Sequence, residues 1–135
     1  MAQFNQLGRT PGIELPVKNY GVTAIAEKLA VIRDTANPPG PDGVAMGVTL
    51  PASDAGAFGI LTSPIAVGGY ANVQLTGVAR CVAGAAIALG QVVMTNSAGK
   101  IVPQTAGLYQ IGTAMSVATA INEDVLVFLH QAKNA

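Results

Sequence analysis

The side chains that could perform chemistry in this sequence are few. His130 is the single histidine and Cys81 the single cysteine, beside seven acidic and seven basic residues. General acid–base catalysis needs such groups held next to one another. His130 falls near the end of a predicted strand, where a lone histidine is typical of a rim position. Cys81 falls on the apolar face of another strand, where burial raises the thiol pKa. The sequence therefore predicts no catalytic residues, and we expect the chain not to be an enzyme.

The sequence also has few residues that could form a metal site or a phosphate site. Zinc sites need clustered Cys and His side chains, and the chain has one of each. Asp34, Asn37 and Asp42 could begin a calcium loop, but three prolines interrupt the dense alternation that such a loop requires. No glycine-rich phosphate-binding motif occurs. We therefore expect no metal site and no cofactor.

Low charge is the most informative property of the composition. Charged residues make up 10% of the chain and the formal net charge is zero, against about 25% charged residues in an average soluble domain. Such a surface is either covered in an assembly or made of small uncharged polar groups on a monomer. Scattered Lys and Arg argue against nucleic acid as a partner. With three Tyr, three Phe and no Trp, stacking on bases or sugars is also poorly supported.

Targeting and membrane segments are not predicted. The start, MAQFNQLGRTPG, lacks the basic flank and apolar run of a secretory signal. The apolar run 81–95 is shorter than the roughly 20 residues that span a bilayer. We expect an intracellular product that stays soluble until it assembles, with no membrane association.

The elements that must position these side chains are short strands. From Tyr20 onward, segments rich in Val, Ile and Thr alternate with Gly, Pro, Asn and Asp. Alternation is clearest in NVQLTGVARCV, where every second residue is apolar or small. Residues 23–32 could pass for a helix by composition, but strands are favoured there as well. The prediction is a mainly β fold in one domain, residues 20–135. The predicted strands are 20–26, 29–33, 44–50, 72–82, 91–95, 100–102, 110–117 and 124–130.

Residues 1–19 are predicted to form an extended N-terminal arm. Glycine and proline residues there oppose a helix, yet spaced apolar side chains occur along the segment. They favour an arm that lies on another protein surface; the alternative is a frayed terminus. The candidate contact residues are Phe4, Leu7, Arg9, Ile13 and Leu15.

A loose internal repeat is also predicted, over about 20–82 and 83–130. AIAEKLAVIR, starting at Ala24, resembles AIALGQVVMT, starting at Ala86, and Gly47 would then correspond to Gly112. Two similar β units would pack as halves of a small barrel or sandwich.

Residues 52–70 do not fit this repeat and are predicted to be an inserted loop. Uncharged loops with large apolar side chains are candidate contact surfaces, which singles out Phe58, Ile60 and Leu61. The alternative is a loop that folds over the barrel and completes the core.

The C-terminal half carries a family resemblance. Residues 83–129 resemble phage capsid cement (decoration) proteins in a series of turn and strand motifs. The motifs are Gly90–Val93, Gly99–Pro103, Ile111–Ala114, Ser116–Ala120 and Val125–Val127. Asn122-Glu123 departs from the glycine usual before the last strand.

The resemblance implies a small β-barrel or β-tulip like the lambda head decoration protein. It implies a homotrimer on the outer capsid surface of the virion, where it clamps subunits of the major capsid protein and so stabilises the head. Often an N-terminal arm does the clamping in such proteins. The alternative function is a receptor- or glycan-binding β module of a phage tail or spike. That alternative would need an exposed aromatic cluster or an acidic sugar site, and the sequence indicates neither.

Overall fold

The structure, a computed structural model, describes residues 12–36, 46–51, 57–104 and 109–133. Every helix or strand assigned within these ranges is a β-strand, which confirms the predicted fold class. The described part of the chain contains no helix of the length and hydropathy needed to cross a membrane. The strands are β1 (Glu14–Lys18), β2 (Ala30–Arg33), β3 (Met46–Thr49), β4 (Gly59–Leu61), β5 (Tyr70–Gln74), β6 (Val78–Val82), β7 (Val92–Thr95), β8 (Ile101–Pro103), β9 (Tyr109–Ala114) and β10 (Asp124–Lys133).

The first five strands form a closed barrel in the order β1-β3-β2-β4-β5. β1 and β3 are parallel, and the other neighbours are antiparallel. The last five strands form a sheet in the order β6-β10-β9-β7-β8. Its two edge strands approach each other only at an isolated parallel bridge between Ala83 and Ile101. The second sheet is therefore a barrel with one incomplete seam.

Alternating side chains explain why these segments form strands. In β10, Val125, Val127 and Leu129 are buried, and the residues between them are exposed or half-buried. Successive side chains of a strand point to opposite faces, so one face fills the core and the other meets solvent or a neighbour. β4 is different, because all three of its residues are buried.

The two sheets correspond strand by strand, β1 with β6 and so on to β5 with β10. Val31 pairs with Gly59 in the first sheet as Val93 pairs with Gly112 in the second. The turns match as well: the Gly68 N–H donates to the Asn19 carbonyl at 2.8 Å, and the Asn122 N–H donates to the Ala83 carbonyl at 2.7 Å. We call residues 12–76 the first unit and residues 77–133 the second unit.

This strand correspondence keeps the predicted match of Ala24 with Ala86 and changes the predicted match of Gly112. Gly112 corresponds to Gly59 rather than to Gly47. Residues 57–70 have counterparts in the second unit, so they belong to the repeated unit and not to an insertion; residues 52–56 lie outside the described residues. The boundary between the units lies at Gly77, which has a φ of 86°, and not near residue 82.

The predicted arm also differs from the structure in its extent. Glu14–Lys18 pairs along its whole length with β5, from Glu14 opposite Gln74 to Lys18 opposite Tyr70. This segment is therefore a strand of the barrel. Residues 1–11 lie outside the described residues.

The two units share part of their core. A first cluster fills the closed barrel, with Val17, Ile25, Val31, Val48, Leu61, Ile65 and Val73 fully or almost fully buried. A second cluster fills the second unit and also contains Ala30, Ala57 and Ile60 of the first unit. One side of the first unit therefore packs into the core of the second.

Candidate functional site

His130 is held between two uncharged partners. Its Nδ1 lies 2.9 Å from Gln110 Nε2, and its Nε2 lies 2.7 Å from Thr113 Oγ1. An amide nitrogen only donates, so with this orientation Nδ1 accepts and the Nε2–H donates to the hydroxyl. The Phe128 ring lies beside the imidazole, 5.7 Å between centroids. These contacts fix the ring in place and supply no carboxylate to polarise it.

Cys81 lies in the core of the second unit. It is 0% exposed. Burial raises the pKa of its thiol far above the usual value, and the negative charge of Asp124 raises it further. The thiolate is the reactive form of cysteine, so this position is chemically inert in the folded protein.

Asp124 forms the main ion-pair cluster that the described residues show. Its Oδ2 accepts from Arg80 Nε at 2.8 Å and lies 3.3 Å from Lys28 Nζ. The pKa of Asp124 is lowered, first by the hydrogen bond from Arg80 and then by Lys28, against partial desolvation. Lys28 comes from the first unit and the other two residues from the second, so the cluster joins the units. Among the described residues, no group of three or more His, Cys, Asp or Glu could hold a metal ion.

A cleft of about 320 Å³ lies along the seam between the units. Gln74 in its wall is 1% exposed, and its Nε2 donates to the carbonyls of Thr76 and Val78. The charged groups at the rim include Lys28 and Arg80, which both contact Asp124. These polar groups of the cleft are therefore already bonded within the protein. Its lining residues are Glu27, Lys28, Ile60, Leu61, Thr62, Gln74 and Arg80.

The predicted arm contacts fall into two groups. Phe4, Leu7 and Arg9 lie outside the described residues. Ile13 is 65% exposed, and its N–H donates to Thr76 Oγ1 at 2.9 Å. Leu15 is half-buried and packs against the core of the first barrel.

The predicted loop contacts are placed mostly inside the protein. Ile60 and Leu61 are each 1% exposed in β4, so neither can meet a partner surface in this conformation. Phe58 is half-buried and packs against the core of the first barrel. The uncharged part that the structure describes, residues 57–70, places these side chains in or against the core, as in the alternative interpretation.

An exposed apolar face that sequence analysis missed lies on the second unit. Strand register places Val78, Phe128, Thr113 and Val92 in one row across four strands. Phe128 is 47% exposed in this row. We call the surface around it the outer face of the second unit.

Further apolar side chains extend the outer face. Met115 lies next to Leu126, whose carbonyl accepts from the Met115 N–H at 2.7 Å. Met115 and Leu89 are 52% and 66% exposed. Leu89, Met115 and Phe128 lie far apart in the sequence, so only the strand register reveals the patch. Large exposed apolar patches mark interaction surfaces.

Comparisons with known proteins identify a family by sequence and a similar fold by structure. A sequence model of the family described as phage cement protein matches residues 14–129. No curated protein matches the chain. A solved structure, the head fiber gp8.5 N base of bacteriophage phi29, is similar with a TM-score of 0.69 and 14% identity. The alignment covers 91% of this chain and 98% of that chain. At this identity the likeness shows the fold alone.

Proposed function

The chain belongs to the phage cement protein family, and from that premise we propose that it binds the outside of a phage head and stabilises it by bridging major capsid protein subunits. The observation that carries the proposal is the family match over residues 14–129, which includes both β units. Membership makes the chain a capsid-associated structural protein of a virion, as the resemblance implied. The outer location, the bridging and the homotrimer are the proposed parts.

The low charge of the chain favours binding through the burial of apolar surface area. Few charges need to be desolvated, since only 10% of residues are charged, and apolar burial contributes about 25 cal/mol per Å². Part of that gain is lost as the entropy of association. A trimer that contacts several capsid subunits at once adds weak contacts through effective concentration. Such a clamp opposes the separation of capsid subunits under the pressure of packaged DNA.

Binding to undecorated heads tests the proposal. Purified protein is mixed with expanded, filled heads that lack it, and the heads are sedimented. We expect saturable co-sedimentation and a higher temperature for DNA release from decorated heads. Failure to co-sediment would contradict capsid binding. Binding with an unchanged release temperature would contradict the stabilising role.

The N-terminal residues are proposed to act as the clamping arm. Because β1 begins at Glu14, deletion of residues 2–11 removes no described strand. We expect an unchanged thermal unfolding temperature and weaker binding to heads. The matched variant is the full-length chain with Phe4→Ser and Leu7→Ser, which should weaken binding to a similar degree. Wild-type affinity in the truncated protein would exclude the arm as the clamp.

A glycan- or receptor-binding module is the second candidate, and one observation favours it. Lys18 Nζ lies 4.8 Å from the ring centroid of Tyr20 and 5.3 Å from that of Tyr70, and Tyr70 is 63% exposed. Two aromatic rings beside a cation form the nearest approach to a sugar platform among the described residues. Binding to a glycan array that Tyr70→Ala abolishes, with no binding to heads, would favour this candidate.

A further inference from the structure

The first unit has an outer face that the second unit covers. Ala30, Ala57 and Ile60 are 0%, 3% and 1% exposed and belong to the core cluster of the second unit. The Ala30 N–H donates to the Gly99 carbonyl at 2.8 Å across the seam. One unit of this fold therefore already buries this face against another unit.

The corresponding face of the second unit is uncovered. By register, Thr113 takes the place of Ile60, and Phe128 takes the place of Gln74. Phe128 is 47% exposed where Gln74 is 1% exposed. A two-fold contact between the units would bury both faces alike. The contact between the two units is heterologous, because different surfaces of the units meet. It therefore leaves the outer face of the second unit exposed.

Exposed positions around the outer face of the second unit carry apolar side chains that the fold does not require. Met115 of the second unit corresponds to Thr62 of the first unit. Their N–H groups donate to the carbonyls of Leu126 and Asn72, which also correspond. Leu89 occupies the position of Glu27, one residue before the left-handed residue of each turn. The same backbone tolerates threonine and glutamate in the first unit. The apolar residues of the second unit therefore indicate a partner.

We propose that the outer face of the second unit docks on the first unit of a second copy of this chain, head to tail. Within one chain, one side of the second unit faces the first unit. The surface that the outer face would meet on the second copy is the corresponding side of its first unit. There, Arg80 and Asp124 have the counterparts Pro16 and Tyr70. Both counterparts are exposed and uncharged, Tyr70 by 63%. Lys18 Nζ lies 5.3 Å from the Tyr70 ring centroid, so a cation borders this surface, which otherwise offers the uncharged Pro16 and Tyr70 to the apolar face.

The contact between copies is shallower than the one within the chain. Ile60 enters the core of the second unit, whose seam between β6 and β8 is incomplete. The first unit has no such opening, because β1 and β3 pair there. Thr113 and Gln110, both bonded to His130, accordingly replace the inserted apolar side chains. They keep the face compatible with water before the copies meet.

A heterologous contact closes into a ring or continues as a filament. The homotrimer of the proposed function corresponds to a closed ring of three chains. The inference deepens that part of the proposed function and rests on it, by naming the two surfaces that meet.

Size in solution tests the docking surface. Phe128→Glu and Leu89→Glu are compared with Ile121→Glu, which changes a side chain of similar exposure, 62%. Ile121 lies in the turn before β10 and not in the row of strand residues that contains Phe128. By light scattering we expect trimers for the wild type and Ile121→Glu, and monomers for the other two, with equal thermal unfolding of the monomeric state. A monomeric wild type, or trimers in all variants, would overturn the proposal.

Cross-linking tests the head-to-tail direction. Chains carrying Phe128→Cys are mixed with chains carrying Tyr70→Cys and oxidised. We expect a disulfide only in the mixture. Cross-linking of Phe128→Cys chains with one another would show a two-fold contact and overturn the proposal.

Head binding separates this inference from the proposed function. If Phe128→Glu is monomeric and binds heads more weakly than the wild type, both stand. If the wild type forms the predicted contact but does not bind heads, the docking surface stands and the proposed function fails. If all variants bind heads equally as trimers, the docking surface fails alone.

Discussion

At the scale of single residues, Asp124 is the charged group with the clearest effect on stability. It pairs with Arg80 and Lys28 across the seam, and these partners hold its pKa below the ordinary value of 3.8. A carboxyl whose pKa is lower in the folded state stabilises the protein above its unfolded pKa. That contribution disappears as the pH falls through the folded pKa.

Asp124→Asn should therefore lower the free energy of unfolding by about 0.5–1 kcal/mol at neutral pH, because the side chain is partly exposed and screened by solvent. Urea titrations at several pH values measure the effect. The difference from the wild type should shrink below about pH 4 and in high salt. A difference that stays constant across pH would show that packing, and not charge, is lost. Arg80→Met should reproduce part of the loss at neutral pH.

Cys81 gives a second test at the residue scale. Its thiol is buried and its pKa is raised, so a disulfide reagent at mildly alkaline pH should react only after unfolding. Ser97→Cys, at an exposed turn, is the control and should react at once. Rapid reaction of the wild-type thiol would mean that the second unit opens readily.

At the scale of elements, alternation located some strands but not their ends. The predicted strand 72–82 is divided at Gly77 into β5 and β6, and the predicted strand 20–26 contains only the isolated bridge of Ile25 with Ile65. β6 and β10 follow the predicted pattern, with Cys81 and Val127 inward. β4 could not be recognised in this way, since a short strand buried on both faces shows no alternation. β1 was predicted to be part of an extended arm, but the segment pairs with both β3 and β5. The outer face depends on register across four strands, which single-strand patterns do not contain.

The glycines of β4 and β9 test the correspondence between the units. A methyl group on Gly112 would overlap the Phe128 carbonyl, and one on Gly59 would meet the Gln74 carbonyl at 2.6 Å. Either alanine variant should cost about 3 kcal/mol or more, because backbone must move.

Gly90 supplies the control for these variants. A methyl group there meets nothing within 4 Å, but φ is 80°. Gly90→Ala should cost only about 1 kcal/mol, and Gly90→Asn less, since asparagine tolerates this conformation. Chemical denaturation measures all four variants. Equal losses at Gly112 and Gly90 would contradict the close approach of β9 to β10.

At the scale of the whole molecule, the two similar β units differ in the side chains of a face that is covered in the first unit and uncovered in the second. The first unit presents Ile60 to the second unit, and the second unit carries the half-buried Thr113 at the same position on its outer face. Because the second core includes Ala30, Ala57 and Ile60 of the first unit, it is incomplete without that unit. We therefore expect one cooperative unfolding transition for the whole chain.

Exchanging the two residues tests this dependence. Ile60→Thr loses apolar burial and places a hydroxyl in a shared core, so it should cost roughly 2–4 kcal/mol. Thr113→Ile changes a half-buried position on the outer face and loses one hydrogen bond to His130, so it should cost less than about 1 kcal/mol. Calorimetry should show one transition in both variants, at a much lower temperature in Ile60→Thr. If Ile60→Thr instead produced two separate transitions, each unit would be stable by itself. The seam would then be a docking contact and not part of a common core.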